Sequence, residues 1–579
     1  MPGTTTRGTR ATTLRTASLA LTCTLAAACS LPGPGADPAS TGATGPDGPH
    51  AASALAALNA HPREQLKTGG NLTLPLDTFP EQWNVLNIAG ADADLATVTS
   101  ATDPVLYDYS PEGEVTPRAD FLAAMPTQAQ RDGREVITYD LNPQARWNDG
   151  TPIDHRSFES AWRASRSDSG YATASAAGYD DIESVTAGSR PHQVVVTFKE
   201  GRAFHPFTDL FAGGLLHPEA AKSPETFNTG FGGTEFHPEW RAGPFTLEQL
   251  NPTTKVITFK RNPNWWGAPA LLDRVTFQAM EDSATIPAFA NGEIDATRVT
   301  TRARYEQVAA TGRADIRRSQ RLTTGVLVFN SHDPALADIR VRRALWQAID
   351  REQWKRVRYE GMEWQERPVG SAMYFSFQPQ ARDNVPVTFD RDAARATLQD
   401  AGYTLGADNL FAKDGQRLSI GYTSFGDDPM TTALDQTLKT QLAAVGVELN
   451  VRNVSYQAFQ SAMEHKDFGM ALLGMGPTTP SPVGSACQLM CSDSPFNISG
   501  VGTPELDQRV RTLTDIADPN AQADQINDVE KEWLALFGQL PMANGPDVWA
   551  YHPGLANLGP AAFASIHPHW ENVGWVAGS

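Results

Sequence analysis

Arg241-Ala242-Gly243-Pro244-Phe245, the extended run Lys255-Val256-Ile257-Thr258-Phe259-Lys260 and the turn Arg261-Asn262-Pro263-Asn264-Trp265-Trp266-Gly267 stand in mid-chain, and their reading decides the fold. Val275-Thr276-Phe277 follows, and residues 281–291 lead into Gly292-Glu293-Ile294-Asp295. Alternation about Val256 and Ile257 marks a strand, and the Asn/Pro/Gly cluster marks a turn. Past Asp282, Ile286 and Phe289 fall at helical spacing and Gly292 is a stop signal. The segment reads strand pair, helix, strand. It sets up no nucleophile and no metal-ligand spacing, so it is framework.

Outward from this stretch, the same alternation of strands and helices continues. Val136-Ile137-Thr138-Tyr139-Asp140-Leu141 is a strand that meets the turn Arg146-Trp147-Asn148-Asp149-Gly150, and Asp154 is placed to cap a helix over 158–164. Trp147 is expected to pack. Residues 297–320 are expected to hold an Arg-rich polar helix with Tyr305 and Val308. Val326-Leu327-Val328-Phe329-Asn330 is a strand, followed by a helix whose face combines Ile339, Leu345 and Ile349 and whose arginines are solvated or salt-bridged. Further helices are predicted over 390–402, 431–445, 456–463 and 529–537, with strands at 418–422, 447–451 and 470–473. Strands alternating with helices give an α/β class.

The first 29 residues are set apart. Arg7, Arg10 and Arg15 are their only charges, and an apolar run from Ala17 to Ala28 reaches Cys29, as in an export signal. Residues 30–65, rich in Pro, Gly, Ala, Ser and Thr at their start, are expected to be a disordered tether. The formal charge of −19 becomes −22 once the three leader arginines are removed, which argues against a nucleic-acid surface. After export only Cys487 and Cys491 remain. An oxidising compartment permits a disulfide between them; zinc would need two further ligands, and His465 is the one imidazole nearby in sequence. His205, His217 and His237 lack the close pairs of a metal site. No Gly-x-Ser-x-Gly, Gly-x-Gly-x-x-Gly or Walker loop is present, so catalytic residues and cofactors are none.

Gly243-Pro244-Phe245, the Arg-Asn-Pro-Asn-Trp-Trp-Gly turn, Gly292-Glu293-Ile294-Asp295, the Trp-Asn-Asp-Gly turn and the block Asp338-Ile339-Arg340-Val341-Arg342 closing on Ile349-Asp350-Arg351 resemble the family 5 extracellular solute-binding proteins. That family holds oligopeptide, dipeptide and nickel receptors of ABC importers, and the resemblance runs from Leu72 to Trp575. It implies a periplasmic-binding-protein-like type II (cluster C) α/β fold, with two main lobes around a hinge and an additional small domain. The implied order is a core lobe at 66–100, an inserted small lobe at 101–229, the core lobe again at 230–315, a second α/β lobe at 316–540 and a return at 541–579. Ala26-Ala27-Ala28-Cys29 resembles a lipobox, implying a lipid-anchored Cys29 on the extracytoplasmic face of the cell membrane; cleavage near Ala28 is the other reading.

The resemblance further implies a monomer that binds peptides or peptide-like solutes between its lobes and delivers them to ABC permease and ATPase subunits, with no nucleic acid. The ligand-side residues it suggests are Trp83, Tyr374, Phe375, Gly474, Met475 and Thr478. Peptide-binding members carry an Asp for the ligand's α-ammonium about where Thr478 stands. A hydroxyl cannot neutralise a buried ammonium. This predicts either a weaker dependence on a free ligand amine or an acid elsewhere, with Asp467 and Asp493 nearest in sequence. The chain also resembles an actinobacterial subgroup that includes mycobacterial LpqW, which implies a non-transport role in cell-envelope glycolipid synthesis as the alternative function.

Overall fold

A computed structural model describes residues 55–426, 428–477, 479–494 and 496–578; Cys29 and Thr478 lie outside the described residues. The mid-chain stretch forms the strands Phe245–Asn251, Val256–Arg261 and Arg274–Ala279, joined in one sheet by the early strand Asn71–Leu76, which pairs parallel to the last of them. Ile257 faces Phe277 and Phe259 faces Val275 across the ladder, all four without exposed surface. The helix Asp282–Asn291 ends where expected, on Gly292 at φ +75°. Asp295 then accepts from the Thr73 backbone N–H at 2.7 Å, tying the motif to the first strand.

The motifs lock onto one another. Asn262 donates to Gly243 O (2.7 Å) and to Asn148 Oδ1 (2.8 Å), while Asn264 donates to Asn148 O (2.9 Å). A Cβ on Gly243 would lie 2.6 Å from Ala101 O, so the close backbone approach there admits only glycine. Arg241 is buried and pairs with Asp103 at 2.7 Å, and it also donates to Trp83 O (2.5 Å) and Phe236 O.

An antiparallel sheet, Thr127–Arg131, Arg134–Asp140, Gln193–Phe198 and Ile182–Ala187, makes the small lobe. The helix His155–Ser165 covers it, capped by Asp154 through Arg156 N–H (2.9 Å), and Trp147 packs beneath with its N–H on Ser157 Oγ. The other large lobe is a five-stranded sheet in the order Glu448–Val454, Ser419–Phe425, Met470–Met475, Thr324–Phe329, Gln539–Ala543. Leu434, Leu438 and Leu442 of the helix Pro429–Ala443 fill its core.

Three expectations change. Residues 55–65 are packed rather than tethering: Leu55 is buried, Ala57 N–H donates to Pro560 O, and Asn59 donates to Leu555 O at 2.9 Å. The helix expected within 297–320 is Arg302–Ala310, with Tyr305 and Val308 in it, and the unassigned Asp315–Gln320 is a strand paired with Pro546–Tyr551, more than 200 residues away in sequence. Arg342 is not solvated; its guanidinium is buried on the carbonyls of Leu336, Ala337 and Leu536. Ile339 is correspondingly exposed, and Val341, Leu345 and Trp346 bury the helix Ile339–Ala348. The late helix starts earlier than expected, at Pro519–Leu534 with Pro at its first turn.

Candidate functional site

The chain crosses into the second large lobe through residues 321–323 and returns through 544–545, side by side. Strands Asp315–Gln320 and Pro546–Tyr551 pair on one side, and Thr324–Phe329 and Gln539–Ala543 pair on the other. Both crossing points lie a few residues C-terminal to the expected boundaries, which fall after 315 and after 540. Gly545, at φ +79°, has its carbonyl bonded to Arg321 N–H and Gln320 Nε2, and its own N–H reaches Glu366. Two short parallel connections between two sheets are the geometry of a hinge.

Charged groups gather beside this crossing. Arg298 ends the strand Ala296–Arg298, lies 5.1 Å over the Trp549 ring and pairs with Asp77 at 2.9 Å. A third of the Arg298 side chain remains exposed beside the crossing. Burial pushes the Asp547 carboxyl upward there, opposed by Arg298 and Arg321. Burial also raises Asp94 to about 6, although it accepts from the N–H and hydroxyl of Thr78. A cluster with both signs of charge, part of it open to solvent, can meet a polar solute.

The sequence-suggested ligand residues are dispersed. Trp83 has no exposed surface; its indole N–H donates to Gly233 O at 2.7 Å and its ring packs against Phe79 and Phe236, so it is a core residue here. Tyr374 is buried in the second-lobe core. Phe375 lies between lobes, stacked on Phe377 (5.6 Å) and edge-on to Phe563. Gly474 and Met475 end the strand Met470–Met475 at the crossing, where Gly474 meets Thr323, and Gly476 beyond them closes on Leu322 O. Asp467 is exposed, and Asp493 pairs with Arg511 at 2.6 Å on the surface. Neither supplies the missing acid.

The loop bearing Tyr374 and Phe375 is anchored from behind. Glu530 has no exposed surface and accepts from Ser371 Oγ (2.7 Å), Ala372 N–H (2.6 Å), Met373 N–H (3.1 Å) and Asn384 Nδ2 (2.6 Å). The turn Phe207–Asp209 of the small lobe meets residues 479–484 of the second lobe. His205 N–H donates to Thr514 O at 2.9 Å, and a Cβ on Gly484 would lie 3.2 Å from Asp209 Oδ2. Cys487, in the helix Val483–Met490 that follows, is joined by a disulfide to Cys491 just past the helix end.

Sequence reasoning missed Arg298, Asp547, Glu530 and Asp209. Each is a lone charge without a local motif, and only the crossing strands and the lobe contact bring it to the site. The three histidines have separate partners: His205 meets Gln128, His217 meets Asp149 at 3.2 Å, and His237 meets Gly230 O. Among the described residues no group of three or more His, Cys, Asp or Glu is placed to hold a metal ion, and no helix is long and apolar enough to cross a membrane. A cavity of about 20 Å³ beside Trp147, His217 and Arg241 has room for no more than a water.

Residues 122–495 match the bacterial extracellular solute-binding proteins, family 5. The oligopeptide-binding protein OppA of Mycobacterium tuberculosis is 32% identical over 517 residues, covering 88% of this chain and 85% of that protein. The probable monoacyl phosphatidylinositol tetramannoside-binding protein LpqW of the same organism is 24% identical over 349 residues, covering 55% of this chain and 53% of that protein. Among solved structures, a periplasmic EDTA-binding protein, EppA, superposes with TM-score 0.81 at 20% identity, covering 88% of this chain and 97% of that chain. The chain belongs to the family 5 bacterial extracellular solute-binding proteins. Its fold is the two-lobed type II periplasmic-binding-protein α/β fold with an additional small domain. It is a binding protein, not an enzyme.

Proposed function

We propose that this family 5 solute-binding protein captures peptides or peptide-like solutes outside the cytoplasm, closes its lobes on them and hands them to the permease and ATPase of an ABC importer. The observation that carries the reading is the part-exposed pair Arg298–Asp77, with Asp547 close by, set beside the paired crossings at 321–323 and 544–545. A solute bridging this pair and the second lobe would be contacted by both lobes at once. Such contacts favour the closed form in proportion to how many of them the open form lacks. The extended likeness to an oligopeptide-binding protein supports peptides over other cargoes. Met475, Gly474 and Thr478 are the second-lobe side of this proposal, with Phe375 at its edge.

Cys29 is proposed as a lipid-modified anchor, so that Cys29→Ala is expected to release the protein from the membrane fraction. Unchanged retention would overturn the anchor. For the cargo, the mature protein purified from its own host is to be examined by native mass spectrometry with extraction of any bound molecule. Peptide masses are expected. A mannolipid would favour the envelope-assembly reading that likeness to LpqW suggests, and a metal chelate would overturn the peptide reading.

A further inference from the structure

The segment Gly476-Pro477-Thr478-Thr479-Pro480-Ser481 carries no acid in its sequence, and Asp467 and Asp493 lie on the surface. The small lobe brings one. Asp209 ends the turn Phe207–Asp209 and lies against the hydroxyls of Thr479 and Ser481 and the backbone of Gly484. We infer that Asp209 is the cation-binding group of the site, presented by the small lobe to the terminal ammonium of a peptide or peptide-like solute. The inference rests on the peptide reading above.

Two observations carry it. Asp209 Oδ2 is buried, and among the described residues it has no hydrogen-bond partner, whereas burying a carboxylate is costly unless it is paired. The groups turned toward it are also uncharged: the phenols of Tyr107, Tyr109 and Tyr179 on the small-lobe side, and Thr479 and Ser481 on the second lobe. The Tyr109 hydroxyl is itself buried with no partner among the described residues, and its ring stacks on His567 at 4.9 Å. An ammonium donates three hydrogen bonds and carries the charge this carboxylate lacks. Burial raises the Asp209 carboxyl to about 7, with the two hydroxyls acting against it, so an arriving cation would expel a proton near neutral pH. The neutral Thr478 therefore does not imply an amine-blind site; the acid comes from another lobe.

The test is calorimetric titration of the full mature protein at pH 6.5 with a peptide pool and its N-acetylated counterpart, in two buffers of different ionisation enthalpy. Wild type is expected to prefer the free amine by about tenfold or more and to release protons on binding it. Asp209→Asn should lose both the preference and the proton release while still binding the acetylated pool, and Asp209→Glu should keep the preference. If wild type binds both pools equally, or Asp209→Asn retains the preference, the assignment to Asp209 is overturned and the peptide reading stands. If wild type binds neither pool, both fall together.

Discussion

Glu530 and Asp209 are two carboxylates withdrawn from water, and both titrate above the usual carboxylate range because burial disfavours their charge. Around Glu530, four donors from one lobe converge at hydrogen-bond distance, and the loop over residues 371–375 has its shape because of them. Around Asp209, the nearest groups belong to different lobes, and one oxygen is left with none of them. A carboxylate saturated within a lobe is framework, fixed when that lobe folds. One left unsaturated between lobes is available to whatever enters between them. The family motifs fall on the saturated side of this contrast: Asn148, Asn262, Asn264 and Asp295 spend their polar groups on one another and on backbone within the core lobe and where the 101–229 segment joins it.

Removing the saturated carboxylate should have the largest effect. Glu530→Ala strands four donors, and a loss of about 4 kcal/mol is expected from urea unfolding, read as a lower midpoint at unchanged slope. A loss below about 1 kcal/mol would show that saturation is not what makes this group framework. Arg241 extends the same side of the comparison, since Asp103, Trp83 O and Phe236 O consume its guanidinium. Arg241→Ala leaves Asp103 uncompensated, and about 3 kcal/mol should be lost in the same assay.

The Cys487–Cys491 disulfide holds the helix whose first turn faces Asp209. Replacing both cysteines by Ser opens a very short loop, for which chain entropy gives about 2 kcal/mol. The change is local, so hydrogen exchange should rise over residues 483–494 and stay constant around Glu530. The smallest effect is expected at Asp209 itself. Its folded carboxyl titrates at about 7 against a reference of 3.8, so the folded state holds the extra proton between those values. Its contribution is therefore most favourable below about pH 4 and is lost as pH rises through 7. The groups facing it, Tyr107, Tyr109, Tyr179, Thr479 and Ser481, stay neutral across that window. Asp209→Asn should flatten this part of the melting profile and raise stability at pH 8 by on the order of 1 kcal/mol, since the lobes can part and rehydrate the carboxylate. A profile identical to wild type would remove Asp209 from the unsaturated side.

Much of the fold was legible locally. Alternation found the strands around Ile257 and Val326, and Asp154 and Gly292 marked helix ends, because caps and periodicity act over a few residues. The strand Asp315–Gln320 has no local signal because its pairing partner is remote, and Trp83 suggests a ligand contact because a core indole and an exposed one have the same letters.

The family, most strands and helices and the lack of a nucleophile motif are all legible in the residue order alone. These follow from short-range patterning and from turns whose asparagines and glycines admit few substitutes. Only the tertiary structure decided which charges meet at the cleft. Arg298 finds Asp77 from 221 residues away, and Asp209 reaches the Thr479–Ser481 segment from another lobe. Electrostatic and desolvation energies depend on distance and burial in space, and neither quantity is written in the spacing of residues along the chain.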